Sequence, residues 1–253
     1  MIRKFTSMVV CFITETGLQR VPCQLPPPSP STLPPRSAFS SSPACASVSS
    51  PANCPPGTRL SEQDIATGYG LSRQPVREAF IRLAGEKLLE VRPQRGTYVR
   101  KIDVSEVEVS RFVREAVEAD IARLAAQGAD AADVAELRRQ VAEQAEAARD
   151  GGRSFVQLDE LFHRTLAKIA GRAGAWAHLQ PIKMHMDRVR HLTAAEFPLD
   201  RLVGQHRAIV EAVAAKDAEV AETAIRTHLR GVLDDLPKIA EAHPDFFIAD
   251  PAQ

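Results

Sequence analysis

Asp159 and His163 stand four residues apart in "QLDELFHRTLAKIAG", a spacing that puts both on one face of a helix. His206 lies in "GQHRAIVEAV" and His228 in "AIRTHLRGV". One carboxylate and three imidazoles on three helices could converge in the core of a bundle. Such a donor set suits a divalent transition metal, Zn²⁺ or Ni²⁺, with open positions for water or a carboxylate. Flanking Leu161, Phe162, Leu166, Ala208, Ile209, Ile225 and Leu229 give each histidine a partly apolar neighbourhood. A histidine in such a place serves equally as a satisfied core residue, so spacing alone leaves both readings open. His178, His185, His191 and His243 lack the pattern. His185 and His191, in "MHMDRVRHL", read as surface or pocket-rim residues.

A second set of residues fits nucleic acid. The run Ser72-Arg73-Gln74-Pro75-Val76-Arg77 opens a predicted helix, and its two arginines share a face at i,i+4. An arginine there can donate bidentately to guanine or clamp a phosphate. Ser72 and Gln74 add short polar contacts. Arg95 and Gly96 sit at the tip of a predicted hairpin, where glycine lets the backbone approach a groove closely. Taken singly, each arginine is as well explained by a solvated basic helix with a surface hairpin. As an ordered set they point to double-stranded DNA, read by a helix in the major groove.

These residues need elements to hold them. Ser61 before Glu62-Gln63-Asp64 marks a helix start, with the helix running to about Thr67 and a turn at Gly68-Tyr69-Gly70. Ser72 is the expected cap of a second helix through about Glu86, with Val76, Ala79, Phe80 and Leu83 on one face. Leu89–Val91 and Thr97–Val99 read as two short strands. Helix-turn-helix plus hairpin is a winged helix-turn-helix, spanning 57–101. Beyond it the periodicity predicts six helices, at about 105–127, 131–149, 154–170, 173–193, 198–215 and 217–235. Ser105 and Ser154 are the expected caps, and Pro198 and Pro237 help set starts and stops. The fold class is mainly α: a winged head followed by an all-α six-helix body over 105–236, with a tail over 237–253.

Charge divides the same way. The 253 residues balance 32 basic against 32 acidic side chains, yet 57–101 carries nine basic and five acidic ones. A basic module joined to an acidic remainder implies that one part meets a polyanion. Apolar residues make up 44% of the chain, and no apolar run approaches the length of a membrane span, which excludes an integral helical membrane protein. Cys11, Cys23, Cys45 and Cys54 all precede the regular part, so disulfides cannot staple it, and a cytoplasmic setting is expected. Of residues 21–56, 20 are Pro or Ser, a composition expected to be disordered. The short run Met8–Ile13, interrupted by Glu15, is too brief for a secretory leader.

The stretch "PGTRLSEQDIATGYGLSRQPVREAFIRLAGEKLLEVRPQRGTYV", residues 56–99, resembles the DNA-binding domain of GntR-type bacterial transcriptional regulators. The resemblance implies that Ser72, Arg73, Gln74, Pro75 and Arg77 lie at the recognition helix and Arg95 and Gly96 in the wing. Residues 105–236 resemble the helical ligand-binding domain, FCD, of the family's FadR-type branch. There an Asp-x3-His, a second His and a third His 22 residues on mark a metal site, which implies Asp159, His163, His206 and His228 as ligands. Arg114, in "FVREAVEADIARLAA", matches a recurrent arginine of the first ligand-domain helix. It could meet an effector carboxylate, or simply pair with Glu118 at i+4. Arg188 and Arg190 are weaker candidates for that role. One departure stands out. The family begins its head with an additional amphipathic helix, and here that place holds "SSPACASVSSPANCP", which cannot form one. The expected consequence is exposed apolar surface on the rest of the head; a misassigned upstream reading frame would account for it.

Together these readings imply a homodimeric one-component regulator. Its head binds operator DNA, and its body binds a small organic or sugar acid against a metal. It is not expected to be an enzyme. Two alternatives compete: a metal-dependent helical hydrolase or lyase using the Asp/His set, and a ligand-sensing remnant unable to bind DNA.

Overall fold

The computed structural model describes residues 55–150, 152, 154–192 and 199–248. The expectations for residues 1–54, including disorder, the leader and the missing first helix, and for Pro198, lie outside the described residues.

The head starts with β1 (Arg59–Leu60), then α1 (Glu62–Tyr69), α2 (Arg73–Gly85), β2 (Leu89–Arg92) and β3 (Gly96–Val99). Ser61 caps α1, its Oγ accepting from the Asp64 amide. The helix runs two residues past Thr67, because Gly70 takes a left-handed φ of 64° and closes the end with hydrogen bonds to the Ala66 and Thr67 carbonyls. Ser72 does precede α2, but its side chain makes no capping hydrogen bond. The hairpin β2–β3 has Leu89 opposite Val99 and Arg92 opposite Gly96. A third strand went unforeseen: β1 pairs with the other edge of β3, giving the order β1-β3-β2. Two residues are too few to show a period of two, so the sequence could not announce it.

Val76, Phe80, Leu83, Leu88, Leu89 and Val99 form the head's apolar core, together with Met184 from the body. The expected apolar exposure is therefore only partly seen. The inner face of α2 is closed, while Ile81 is 64% exposed and Val91 58%.

The body is six helices: α3 (Val104–Gly128), α4 (Ala131–Arg149), α5 (Phe155–Ile169), α6 (Ala173–Leu192), α7 (Leu199–Ala214) and α8 (Ala218–Ala242). Asp103, not Ser105, caps α3; its carboxylate accepts from the Ser105 amide at 3.0 Å. Ser154 precedes α5 without a side-chain capping bond. The alanines of α3 let its neighbours approach closely: Ala119, Ala122, Ala125 and Ala126 share one core with Leu137, Phe162, Leu166, Ile209 and Ile225.

Pro237 does not end the last helix. α8 continues through it to Ala242. Proline removes one helical hydrogen bond and crowds the preceding turn. Leu236 and Ile239 nevertheless bury against Val107, Met186, Val189 and Phe247, and that burial holds the helix together. The tail is likewise anchored. Ile102 donates its amide to the Phe246 carbonyl at 2.7 Å and accepts from the Ile248 amide at 2.9 Å.

Helix α6 joins the two modules. Met184 enters the head core, His185 Nε2 meets the Glu86 carbonyl at 2.9 Å, and Arg188 donates to the Arg100 carbonyl at 2.5 Å. His185 is thus a buried joint residue and not a rim residue; the periodicity of a helix shared by two cores hides which face is exposed. Burial lowers its pKa, and burial lowers that of Arg188 to about 10. Lys87 adds an ion pair with Glu106 across the same junction.

Candidate metal centre and nucleic-acid interface

Helix α5 turns Asp159, Phe162, His163 and Leu166 inward at helical spacing. Helix α7 brings in His206 and α8 brings in His228, all four polar residues being buried. One ligand atom from each of Asp159, His163, His206 and His228 lies within 4.8 Å of the others. The sequence therefore named a set that the fold does bring together.

The orientation of each ring follows from its neighbours. Gln144 Nε2 donates to the Leu158 carbonyl at 3.1 Å, which turns Gln144 Oε1 toward His206 Nδ1 at 2.6 Å. His206 then carries its proton on Nδ1 and leaves a lone pair on Nε2. His228 Nδ1 likewise faces Gln205 Oε1 at 3.1 Å. The two Nε2 atoms stand 3.3 Å apart, lone pair toward lone pair. Two nitrogens each about 2.0–2.1 Å from one tetrahedral ion would be about 3.3–3.4 Å apart.

His163 Nδ1 is 2.6 Å from Glu118 Oε2, a close charge contact too far off line for a good hydrogen bond, so both ring nitrogens remain unsatisfied. Its Nε2 is 3.9 Å from Asp159 Oδ1, and His206 Nε2 is 3.5 Å from the same oxygen. The rings are held flat by aromatic neighbours, His163 parallel to Trp176 and His206 stacked on Phe162. A glutamine oxygen behind a metal-facing imidazole fixes its tautomer and raises its basicity. An imidazole without a hydrogen-bond partner and two opposed lone pairs in a buried cluster fit a cation better than a structural core.

Charges around the set are balanced by burial and pairing. Burial pushes His206 down to about 3 and His228 well below the ordinary histidine value, so both are neutral. Burial alone would raise Asp159, but Arg190, whose Nη2 is 2.5 Å from Asp159 Oδ1, holds it well below the usual carboxylate range. Glu118 stays ionised, at about 2, because Arg114 and His163 outweigh its burial. Arg114 is 1% exposed and donates through Nε to Glu118 Oε1 at 2.6 Å. The ion pair weighed from the sequence is real, and Arg114 also lines a cavity with Arg190 and His228.

The sequence missed Glu118, Gln144, Gln205 and Arg190 as partners of the cluster. A signal existed for one. Gln144 sits at core spacing with Leu137, Gln140 and Val141, and a glutamine in that row needs a buried partner.

The head presents its basic residues outward. Ser72, Arg73, Gln74, Arg77 and Arg95 are exposed, and Pro75 and Gly96 half-buried. Arg73 rests 3.4 Å from Glu62, and Gln74 donates to Glu78 at 3.0 Å. Pro93 and Gln94 turn the wing, Gln94 at a φ of 61°, and Tyr98 donates to the Arg95 carbonyl at 3.0 Å. Gly96 has φ 112°, and a Cβ there would come within 2.8 Å of Arg59 Nε. The Arg59 side chain could shift to admit a Cβ, so it is the positive φ that favours glycine here.

A winged head on a helical body with a buried histidine–aspartate cluster has the architecture of a DNA-binding regulator. The family described as "Bacterial regulatory proteins, gntR family" matches residues 52–99, and the FCD domain matches residues 110–231. The chain is 36% identical over 194 residues to the HTH-type transcriptional repressor RspR of Escherichia coli, covering 76% of this chain and 85% of that protein. It is 39% identical over 198 residues to an HTH-type transcriptional regulator in an unstable DNA locus of Streptomyces ambofaciens, covering 78% and 84%. A solved GntR regulator from Rhodococcus has a TM-score of 0.57 at 28% identity, over 74% of this chain and 89% of that one. Escherichia coli McbR/YncC shares the fold, with a TM-score of 0.64 at 20% identity over 75% and 90%.

The chain belongs to the GntR family of bacterial transcriptional regulators and carries an FCD domain. It is a DNA-binding regulator, and its family is not one of enzymes, which removes the hydrolase or lyase alternative. No helix among the described residues is long and apolar enough to cross a membrane.

Proposed function

We propose that this regulator binds a two-fold operator as a homodimer and that a small organic or sugar acid, seated at a divalent transition metal in the body, changes its operator affinity. The observation that carries the reading is the convergence of Asp159, His163, His206 and His228 beside a cavity reached by Arg114 and Arg190. Zn²⁺ or Ni²⁺ there would offer open coordination positions to a carboxylate.

The chain's own residues do the rest. Gln144 and Gln205 hold the His206 and His228 rings with Nε2 inward, Glu118 lies against His163, and Arg190 orients Asp159. Arg114 and Arg190 supply positive potential to an incoming anion. Ser72, Arg73, Gln74, Pro75 and Arg77 face the major groove, with Arg95 and Gly96 as a wing. Two heads about one helical turn apart call for a dimer. The acid must favour one arrangement of the heads, or it changes nothing. Helix α6 supports a path: Met186 and Arg190 border the acid site while Met184, His185 and Arg188 grip the head. The RspR relative is a repressor, which supports regulation by operator occupancy.

Selection of the full chain against random duplexes tests this. A single enriched, two-fold symmetric motif bound by a dimer is expected. Binding to all duplexes alike, or by a monomer, would overturn it and favour a sensing remnant without operator recognition.

A further inference from the structure

We propose that the acid taken by the body is a monocarboxylate with an apolar tail, and not a polyhydroxy or dicarboxylic acid. This rests on the reading of the Asp/His cluster as an acid site.

The lining of the cavity sets this preference. Its interior of about 40 Å³ is partly open to solvent, so a tail longer than the interior can extend along the walls. Its buried polar groups are Arg114 and the neutral His228, with the half-buried Arg190 beside them. The remaining wall is Phe155, Val156, Leu199, Leu202, Leu229 and Val232, with Met186 among them. Among the described lining residues there is no serine, threonine, asparagine, glutamine, aspartate or glutamate. A sugar acid entering carboxylate first would press most of its hydroxyls against hydrocarbon, since the arginines and His228 are the only polar side chains among the described lining residues. Hydroxyls that meet hydrocarbon give up water without return, which disfavours them.

A second carboxylate fares little better. The further cation on the lining, Arg201, pairs with Asp235 as the inner arginines pair with carboxylates, but it is exposed, where water weakens its attraction for a second carboxylate. An alkyl or aromatic body meets the opposite fate, since all the surface it buries faces apolar atoms. Such burial is worth about a fourfold gain in affinity per methylene. The carboxylate end is satisfied by the cluster and its arginines, and the tail by the walls.

The test is calorimetry on the full chain loaded with zinc, using acetate, butyrate, hexanoate, benzoate, succinate and gluconate as probes. The expected result is affinity that climbs from acetate to hexanoate by at least tenfold, with benzoate in the upper range and succinate and gluconate no tighter than acetate. Leu202→Asn and the nearly isosteric Val156→Thr should each lower hexanoate affinity several-fold while leaving acetate affinity and zinc content unchanged. A flat series, or gluconate or succinate binding tighter than hexanoate, overturns the tail assignment and leaves the acid site standing. If none of the six acids binds the zinc-loaded protein, the acid site itself fails, and the tail assignment with it.

Discussion

His206 Nε2 lies 3.3 Å from His228 Nε2, with each ring's Nδ1 turned back onto a glutamine oxygen, Gln144 and Gln205 respectively. With both Nδ1 atoms protonated, the two Nε2 lone pairs face one another, an arrangement that a shared cation would stabilise.

The glutamine behind the ring is then part of the metal's affinity. Gln144→Leu keeps the volume roughly and removes the acceptor for His206 Nδ1. Metal affinity should drop about 10- to 100-fold. His206→Ala should abolish stoichiometric binding. Competition with a chromogenic chelator reads both; equal affinity in wild type and Gln144→Leu would show that the glutamine does not orient a ligand.

Without metal, the two neutral histidines make stability depend on pH. Burial puts His206 at about 3 and His228 well below 6.5, so neither takes up a proton in the native state near neutrality. In the unfolded chain both do so near 6.5. Below that pH the unfolded state binds more protons, so stability falls as pH drops from about 6.5 toward 3, by at most about 1.4 kcal/mol per pH unit for each histidine. Above about 7 this contribution is constant. Glu118 and Asp159, both depressed, add a loss in the same direction only below about 4. Urea unfolding of chelator-treated protein should give a lower midpoint at pH 5 than at pH 7.5, and His206→Gln should flatten the difference. A midpoint indifferent to pH would contradict the buried neutral rings.

Arg114 and Glu118 form a pair almost wholly removed from water. Glu118→Gln leaves the guanidinium buried without its counter-charge and takes the carboxylate from His163. The expected cost is about 3–5 kcal/mol. Acetate, if it fills the vacated charge, should recover part of the thermal stability of the variant. A loss below about 1 kcal/mol would mean that Arg114 finds another partner.

Much of this was legible in advance. The helices of the body announced themselves through apolar periodicity broken at Gly128, Gly151-Gly152 and Gly171; the four donors were candidates by type and spacing and became a set only through the resemblance to the FCD pattern. Helical period reports which face is buried, but not which polar groups share that burial. Gln205 and Glu118 could therefore be placed on helices but not matched to His228 and His163. His185 was misread because α6 buries against the head as well as the body. Pro237 was misread because local preference was outweighed by Leu236 and Ile239 packing in the core. The strand Arg59–Leu60 exists only because β3 offers it an edge.

On the DNA side, Arg73 and Arg77 stand exposed on one face of α2. Alanine at either should weaken binding to the selected operator by about 1–3 kcal/mol if it reads a base, and should do so less on random duplex. Arg95→Ala at the wing should instead weaken both alike and lower the salt slope by about one. Filter binding across a range of salt separates the two patterns. Unchanged operator affinity in both Arg73→Ala and Arg77→Ala would remove α2 from the groove.

The account stands or falls on coupling between the buried centre and the head. The direct measurement is operator affinity, by fluorescence anisotropy, for the zinc-loaded full chain and for His206→Ala, each with and without a carboxylic acid that binds the body. The acid should change wild-type affinity at least tenfold and leave His206→Ala unmoved. An acid that binds the wild type yet leaves its operator affinity the same would contradict it.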